Sequence, residues 1–434
     1  MKNWLEKQFK LSAFQTDIKT ELLAGLTTFV TMAYVLATVP NILGGANLDK
    51  HVMLTAMVLL IILTSCAMAL YTNRPFALAP GLGSVGIVAS MISNEGISAS
   101  IAAGVIFWSG ILFVLISFLG LREAVVRVIP VSMKHAVSAG IGLFIALLGA
   151  KNCGLIVANA NKNNLAFGDL ASPSVIVAVI GFILVLIIKV RNVPGGMILA
   201  ILATTVIGIP FGVTKLPESL FSLPANVGKQ FLQVDFIGAL NFAYIPFLIA
   251  LFVPDFFSTF GTVLGVGAKA GYLDEDGNLP DIDKCFKVDA VATCFGALFC
   301  MPSMTTYLES SAGVEAGGKT GLTVVFTSIF FALSLFLAPL ALIIPSAATG
   351  PILIFIGINM LSGMRNVNYS DITEYVPAFI CVTFTIFANN IANGICVALP
   401  AYVIMKIAAG KIKEIEPVMY VLVVVCLLYF YTII

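Results

Sequence analysis

Pro302-Ser-Met-Thr-Thr-Tyr-Leu-Glu-Ser-Ser-Ala-Gly313 interrupts the otherwise apolar second half of the chain, and Gly317-Gly318 follows it closely. A plain helix through hydrocarbon cannot carry this run, because freed backbone groups and an ionisable side chain at membrane depth are costly unless partnered. Half a chain earlier, Phe76-Ala-Leu-Ala-Pro-Gly-Leu-Gly-Ser-Val-Gly86 breaks a second apolar stretch with Pro80, Gly81, Gly83 and Gly86. Each break is followed by further apolar stretches and then by related motifs, Ile141-Gly-Leu-Phe-Ile-Ala-Leu-Leu-Gly149 and Ile352-Leu-Ile-Phe-Ile-Gly-Ile358. Broken apolar segments at corresponding places in two halves are the sequence mark of inverted-repeat carriers, in which half-helices meet near the midplane.

Working outward, the composition agrees with a bilayer setting. Of 434 residues, 59% are hydrophobic and 10% charged, with mean hydropathy +1.05, against roughly 25% charged in soluble domains. Apolar runs of about 17 to 25 residues, long enough for a core of ~30 Å, recur from end to end. The expected fold is an all-α polytopic membrane protein, one domain with fourteen candidate transmembrane segments. A first repeat covers 21–212, a second 238–408, and 409–434 is a C-terminal apolar segment that either crosses or lies along the surface. With the N-terminus inside, eighteen of the 23 Lys and Arg fall in cytoplasmic loops, as expected of retained positive charge. Met1 to Lys19 lacks the apolar core and cleavage site of a signal peptide and is expected to stay cytoplasmic.

Several chemistries are set aside. Lys plus Arg (23) and Asp plus Glu (22) nearly cancel, so no basic surplus points to nucleic acid. The eight cysteines form no Cys-x-x-Cys, and two histidines, His51 and His135, make an imidazole metal centre improbable; neither metal nor cofactor is expected. Gly313-Val-Glu-Ala-Gly-Gly-Lys-Thr320 fits the letters of a phosphate-binding loop without the soluble αβ core such a loop needs. The acidic stretch Asp274 to Asp283 lacks calcium-loop spacing and reads as a cytoplasmic turn. Asn389, Asn390 and Asn393 divide the apolar stretch 375–408 at a tight turn.

Among polar groups at membrane depth Glu309 is the sharpest, lying beside Thr305, Thr306, Tyr307 and Ser310 near the expected start of a half-helix. There it can accept hydrogen bonds from an N–H-rich ligand and carry a proton. Asp255, in Phe252-Val-Pro-Asp-Phe-Phe-Ser-Thr-Phe-Gly261, is the second candidate for binding and for proton coupling, and Ser258, a turn on, is expected to share its face. Phe256, Phe257 and Tyr307 are candidates to stack on a ring.

The chain resembles a known family over nearly its whole length. Ala24-Gly-Leu-Thr-Thr-Phe-Val-Thr-Met-Ala-Tyr34, Phe76 to Gly83, Ile141 to Phe144, Gly261-Thr-Val-Leu-Gly265, Leu273-Asp-Glu-Asp-Gly277, Thr305 to Gly313 and Gly317-Gly-Lys-Thr-Gly-Leu322 are similar to the azaguanine-type guanine/hypoxanthine permeases. These belong to the nucleobase transporters that include the uracil permeases. The resemblance implies seven-plus-seven inverted repeats in core and gate domains, with solute between broken spans 3 and 10 and flanked by spans 1 and 8. It implies proton-coupled uptake of a purine base across the cell membrane, with a homodimer as one expected assembly. It puts Glu309 and its neighbour Tyr307 in the tenth-span site and Thr31 and Ala33 on the first-span wall. Two positions depart from the family pattern: Ser84-Val85 stands where the third-span motif usually has Leu-Asn, and Ser258 stands where the eighth span usually has Asp. A site lacking those groups suits a ligand with fewer polar edges. The competing reading of the same fold is a carrier or channel for anions or other small solutes, using positive half-helix ends, and a midplane carboxylate argues against it. No nucleophile–base pair marks an enzyme.

Overall fold

The computed structural model describes residues 2–118, 130–159, 164–191, 193, 196–217, 219–272, 279–388 and 391–433. The acidic residues 274–278, the motif at 273–277, and Asn389 and Asn390 lie outside the described residues. Helices dominate. The first half carries α1 (Lys2–Phe9), α2 (Ile18–Met32), α3 (Val35–Gly45), α4 (Lys50–Thr72), strand β1 (Leu78–Pro80), α5 (Leu82–Ser93), α6 (Ala99–Phe118) and α7 (Val131–Asn152). A hairpin of β2 (Ile156–Asn159) and β3 (Asn164–Phe167) leads to α8 (Pro173–Val190) and α9 (Gly196–Ile207). The second half carries α10 (Ile245–Lys269), α11 (Ile282–Ala297), strand β4 (Met304–Thr306), α12 (Ser310–Glu315), α13 (Gly321–Ser334) and α14 (Ala338–Leu342). It ends with α15 (Ser346–Leu361), α16 (Ile372–Phe387), α17 (Ile391–Ala408) and α18 (Pro417–Ile433).

Among the described residues, eight apolar helical runs are long enough to cross a membrane, one of them 18–45, where α2 and α3 follow one another across Ala33 and Tyr34. Each of the fourteen stretches expected from hydropathy holds a helix, a helix pair or a strand followed by a helix. The C-terminal α18 packs on α17 and α10, with Met419 and Cys426 buried.

Packing partners repeat when the halves are exchanged. In the first group, α6 packs on α11 as α13 packs on α4, α2 on α13 as α10 on α6, and α2 on α12 as α10 on α5. In the second, α8 packs on α9 as α16 on α17, and α15 on α8 as α7 on α16. The helices therefore form two bundles, α2–α6 with α10–α14 and α7–α9 with α15–α17. The relation between halves is inverted, because elements that meet on its axis run antiparallel. The strands β1 and β4 pair Leu78 with Thr306, Ala79 with Thr305 and Pro80 with Met304. Where α7 crosses α15, Gly142 faces Gly357 and Gly149 faces Gly350, each so close that a Cβ on either member would meet its partner's carbonyl oxygen at 2.3–2.9 Å. Missing side chains let these two helices touch backbone to backbone.

Two buried charges remote from the breaks are partnered. Glu21, fully buried, accepts from the Lys319 and Thr323 amides, both at 3.0 Å, and from the Thr323 hydroxyl, closing the N-terminus of α13. The Lys319 amide belongs to the stretch whose letters match a phosphate-binding loop, and Thr320 caps the same helix through Leu322. Lys406 is 2% exposed between Glu374 at 2.7 Å and Glu414 at 2.6 Å.

Candidate solute-binding site

The two breaks are built alike. Pro80 has no amide hydrogen and cannot continue a helix ladder, so the chain enters as a strand and turns helical only at Leu82. Backbone groups freed here find partners across the two breaks. Ser65 Oγ donates to the Leu78 carbonyl at 3.1 Å and accepts from the Leu78 amide at 2.9 Å. Ser310 Oγ accepts from the Ala77 amide at 3.0 Å, the Tyr307 amide donates to Ala77 O at 2.9 Å, and the Gly81 amide donates to Ser303 O at 2.9 Å. This satisfaction is the condition on which non-helical backbone persists at membrane depth.

Matching strand on strand by the register, with 79 on 305, places Gly81 opposite Tyr307 in the repeat and Gly83 opposite Glu309. One break thus presents bare backbone where the other presents a phenol and a carboxylate. Glu309 is the residue before α12 and is half-buried; its Oε1 accepts a hydrogen bond from Tyr34 Oη at 2.7 Å. Tyr34 reaches it from the joint between α2 and α3, where the neighbouring Ala33 is buried at the end of α2.

The remaining expected residues are placed as follows. Tyr307 is buried and its hydroxyl donates to Pro80 O at 2.6 Å, tying one break to the other. Ser310, also buried, spends its acceptor on Ala77. Ser84 and Val85 are buried in the first turn of α5. Thr31 is half-buried with its hydroxyl bonded to the Thr27 and Thr28 carbonyls of its own helix. Ser258 is exposed, and Gly261 and Gly265 continue its face of α10 with no atom near their missing Cβ positions.

Two expectations are corrected. Asp255 and Ser258 do not open onto the same space: three helical residues set them only about 60° apart, yet Asp255, 3% exposed, is turned inward to Thr293 while Ser258 stays open. Phe256 is not free to stack on a ligand, being fully buried among Phe113, Phe252 and Phe286; the Phe257 side chain lies outside the described residues. Sequence reasoning also passed over Asp289 on α11, which is fully buried and accepts from Thr259 Oγ1 at 2.6 Å. The signal was available: Asp289-Ala-Val-Ala-Thr293 puts an acid and a hydroxyl on one face of an apolar turn. Tyr34 stood inside a quoted motif, but only folding brings it to a residue 275 positions away.

Residues 19–397 match the Permease family. The chain belongs to that family. This permease is 36% identical over 414 residues to the adenine permease AdeQ of Escherichia coli, covering 95% of its own length and 93% of that protein. It is 34% identical over 421 residues to the guanine/hypoxanthine permease PbuO of Bacillus subtilis, with 95% and 97% covered. Its fold is similar to the transmembrane domain of a cyanobacterium bicarbonate transporter, BicA, with TM-score 0.66 at 15% identity over 86% of this chain and 96% of that one. The permease is thus a multi-pass membrane transport protein and not an enzyme, and the likeness to guanine/hypoxanthine permeases read from its motifs holds.

Proposed function

We propose that this permease is a secondary transporter that takes up a purine nucleobase, or a closely related nitrogen heterocycle, across the cell membrane by proton symport. The observation that carries the reading is the Glu309 carboxylate beside the antiparallel junction of two broken spans, held by Tyr34, at the repeat position where the other break has Gly83. Such a carboxylate accepts ring or exocyclic N–H groups of a base. Support comes from relatives that are named adenine and guanine/hypoxanthine permeases along nearly their whole length.

In this reading the chain crosses the membrane fourteen times with its N-terminus in the cytoplasm, in repeats over 21–212 and 238–408. The bundle containing both breaks is the core, and the bundle around the α7–α15 crossing is the gate. Glu309 and Ser258 face the solute, Thr31, Ala33, Ser84 and Val85 form its wall, and Tyr307 and Ser310 hold the breaks in register. Asp255 serves from behind, and the exposed strip Ser258, Gly261 and Gly265 leads toward the Lys269 end. Alternating access arises from the core shifting against the gate, and a pair of chains is the proposed assembly. The test is uptake of radiolabelled adenine, guanine and hypoxanthine into proteoliposomes with and without an inward-acid pH gradient. Accumulation driven by the gradient and lost in Glu309→Gln is expected; no uptake of any base, or full activity in that variant, refutes the proposal.

A further inference from the structure

Behind β4 two aspartates from neighbouring helices, Asp255 on α10 and Asp289 on α11, are buried to 3% and 0% exposure. Neither forms an ion pair among the described residues. Each receives one hydroxyl: Thr293 Oγ1 lies 3.1 Å from Asp255 Oδ2, and Thr259 Oγ1 lies 2.6 Å from Asp289 Oδ2. The second oxygen of each carboxyl, Oδ1, is buried without a hydrogen-bond partner, as are Ser303 Oγ and Thr306 Oγ1 on and beside the same strand.

Among the described residues, the elements packed around the pair supply no compensating cation. Helices α5 and α6 carry no charged residue. Lys269 of α10 pairs with Glu315, Lys287 of α11 lies over the Phe118 ring, and Lys406 of α17 is taken by Glu374 and Glu414. Lys134, His135 and Lys151 of α7, and Lys50 and His51 of α4, make no ion pair with either carboxyl. Of the other titratable groups, the Cys285 thiol lies one turn before Asp289 and Tyr307 and Glu309 follow the strand in the chain, while Arg74 lies over the Tyr272 ring. Two buried carboxylates with no cation between them cannot both hold a charge at acceptable cost.

The hydroxyls show where a proton fits. Thr293 has a single hydroxyl hydrogen and two acceptors within reach, Asp255 Oδ2 and Met304 O at 3.2 Å. A carboxylate at 255 leaves one hydrogen for both. A carboxylic acid there donates to Thr293 Oγ1, freeing the threonine to donate to Met304 O, and both oxygens within reach of that hydroxyl are then served. The second run accommodates the opposite end state: with Thr305 Oγ1, 2.9 Å from Thr259 Oγ1, as donor, Thr259 donates in turn to a charged Asp289.

Building on the proposed transport reading, we propose that Asp255 and Asp289 share one dissociable proton and form the binding site of the coupling ion, separate from the carboxylate that meets the base. The proton rests on Asp255, comes from water on one side of the membrane and returns to water on the other, and only an O–H bond is made and broken. Both hydroxyl runs end on β4, at Met304 O and Thr305 Oγ1. Loss of the proton turns Thr293 from Met304 toward Asp255 and so alters the hydrogen bonding of the strand that leads into Tyr307 and Glu309.

Purified full-length protein in proteoliposomes tests this. Asp289→Asn is expected to lose accumulation driven by a pH gradient, and proton entry accompanying the base, while still exchanging labelled for unlabelled base at a measurable rate. Full proton-driven accumulation in Asp289→Asn overturns the proposal, as does a wild-type protein driven by a sodium gradient and not by pH. A spectroscopic arm separates this claim from the transport reading: the infrared carbonyl band of a buried carboxylic acid is expected in substrate-free wild type and missing in Asp255→Asn. If wild type moves no purine but shows that band, the transport reading fails and the shared proton stands. Absence of the band in wild type refutes the shared proton, whatever is transported.

Discussion

Gly357→Ala probes the seam on which the two halves are joined. A Cβ at this position lands 2.3 Å from the Gly142 carbonyl oxygen and 2.8 Å from the Ala146 Cβ. The oxygen belongs to backbone, so a rotamer change cannot relieve the overlap. Carbon rests on a carbonyl oxygen at roughly 3.3 Å or more, so α7 and α15 must separate locally by about 1 Å. Overpacking of this kind costs about 1–3 kcal/mol, partly offset by the better helix propensity of alanine, up to about 1 kcal/mol. A net loss of roughly 1–2 kcal/mol is expected, read as unfolding free energy in mixed micelles. The controls lie on α10, where Gly261→Ala and Gly265→Ala meet no neighbouring atom and are expected to be neutral or slightly stabilising in the same assay. Adding Gly142→Ala to Gly357→Ala is expected to cost less than the sum of the single changes, because the first methyl already parts the helices. Equal stability of Gly357→Ala and the α10 controls refutes the backbone contact at this crossing.

Three other outcomes follow from local geometry. Glu21→Ala leaves the Lys319 and Thr323 amides buried at the start of α13 without their acceptor; at about 1–3 kcal/mol each, unfolding should ease by roughly 2–6 kcal/mol, with Glu21→Gln intermediate because one oxygen remains. Tyr34→Phe removes the 2.7 Å bond to Glu309; uptake should fall several-fold with the thermal midpoint shifted by no more than a few degrees, and unchanged uptake would contradict the role given to that bond. The Lys411 ammonium and the Thr373 hydroxyl hold the Asp371 carboxyl below the ordinary carboxylate range. A depressed folded value means that its stabilising effect is complete above the unfolded value, about 4, and fades as pH falls further. Acid unfolding curves should therefore show a smaller drop below pH ~4 in Asp371→Asn than in wild type.

Much of the architecture can be read from residues alone, since the bilayer restricts a chain so strongly. Long apolar runs must be helical because lipid offers no hydrogen bonds, and a stretch such as Pro302 to Gly313 must break its helix where the freed backbone is partnered by protein, because it cannot cross lipid as one continuous helix. Position on the chain was enough to single out Glu309, and the paired breaks at 76–86 and 302–313 implied their meeting. What tertiary structure decided is who touches whom. Tyr34 and Glu309, or Asp255 and Asp289, are unremarkable as separate letters. Their juxtaposition depends on strand register and helix rotation, and a residue or two of either carries Asp255 inward and leaves Ser258 outside. The glycines of α7 and α15 behave likewise: composition permits close packing, but only the crossing point determines which carbonyl each missing Cβ would strike. Hydropathy is a property of one segment, whereas a hydrogen-bonded site is a property of several segments at once, and this is why the first was legible and the second had to be folded to be seen.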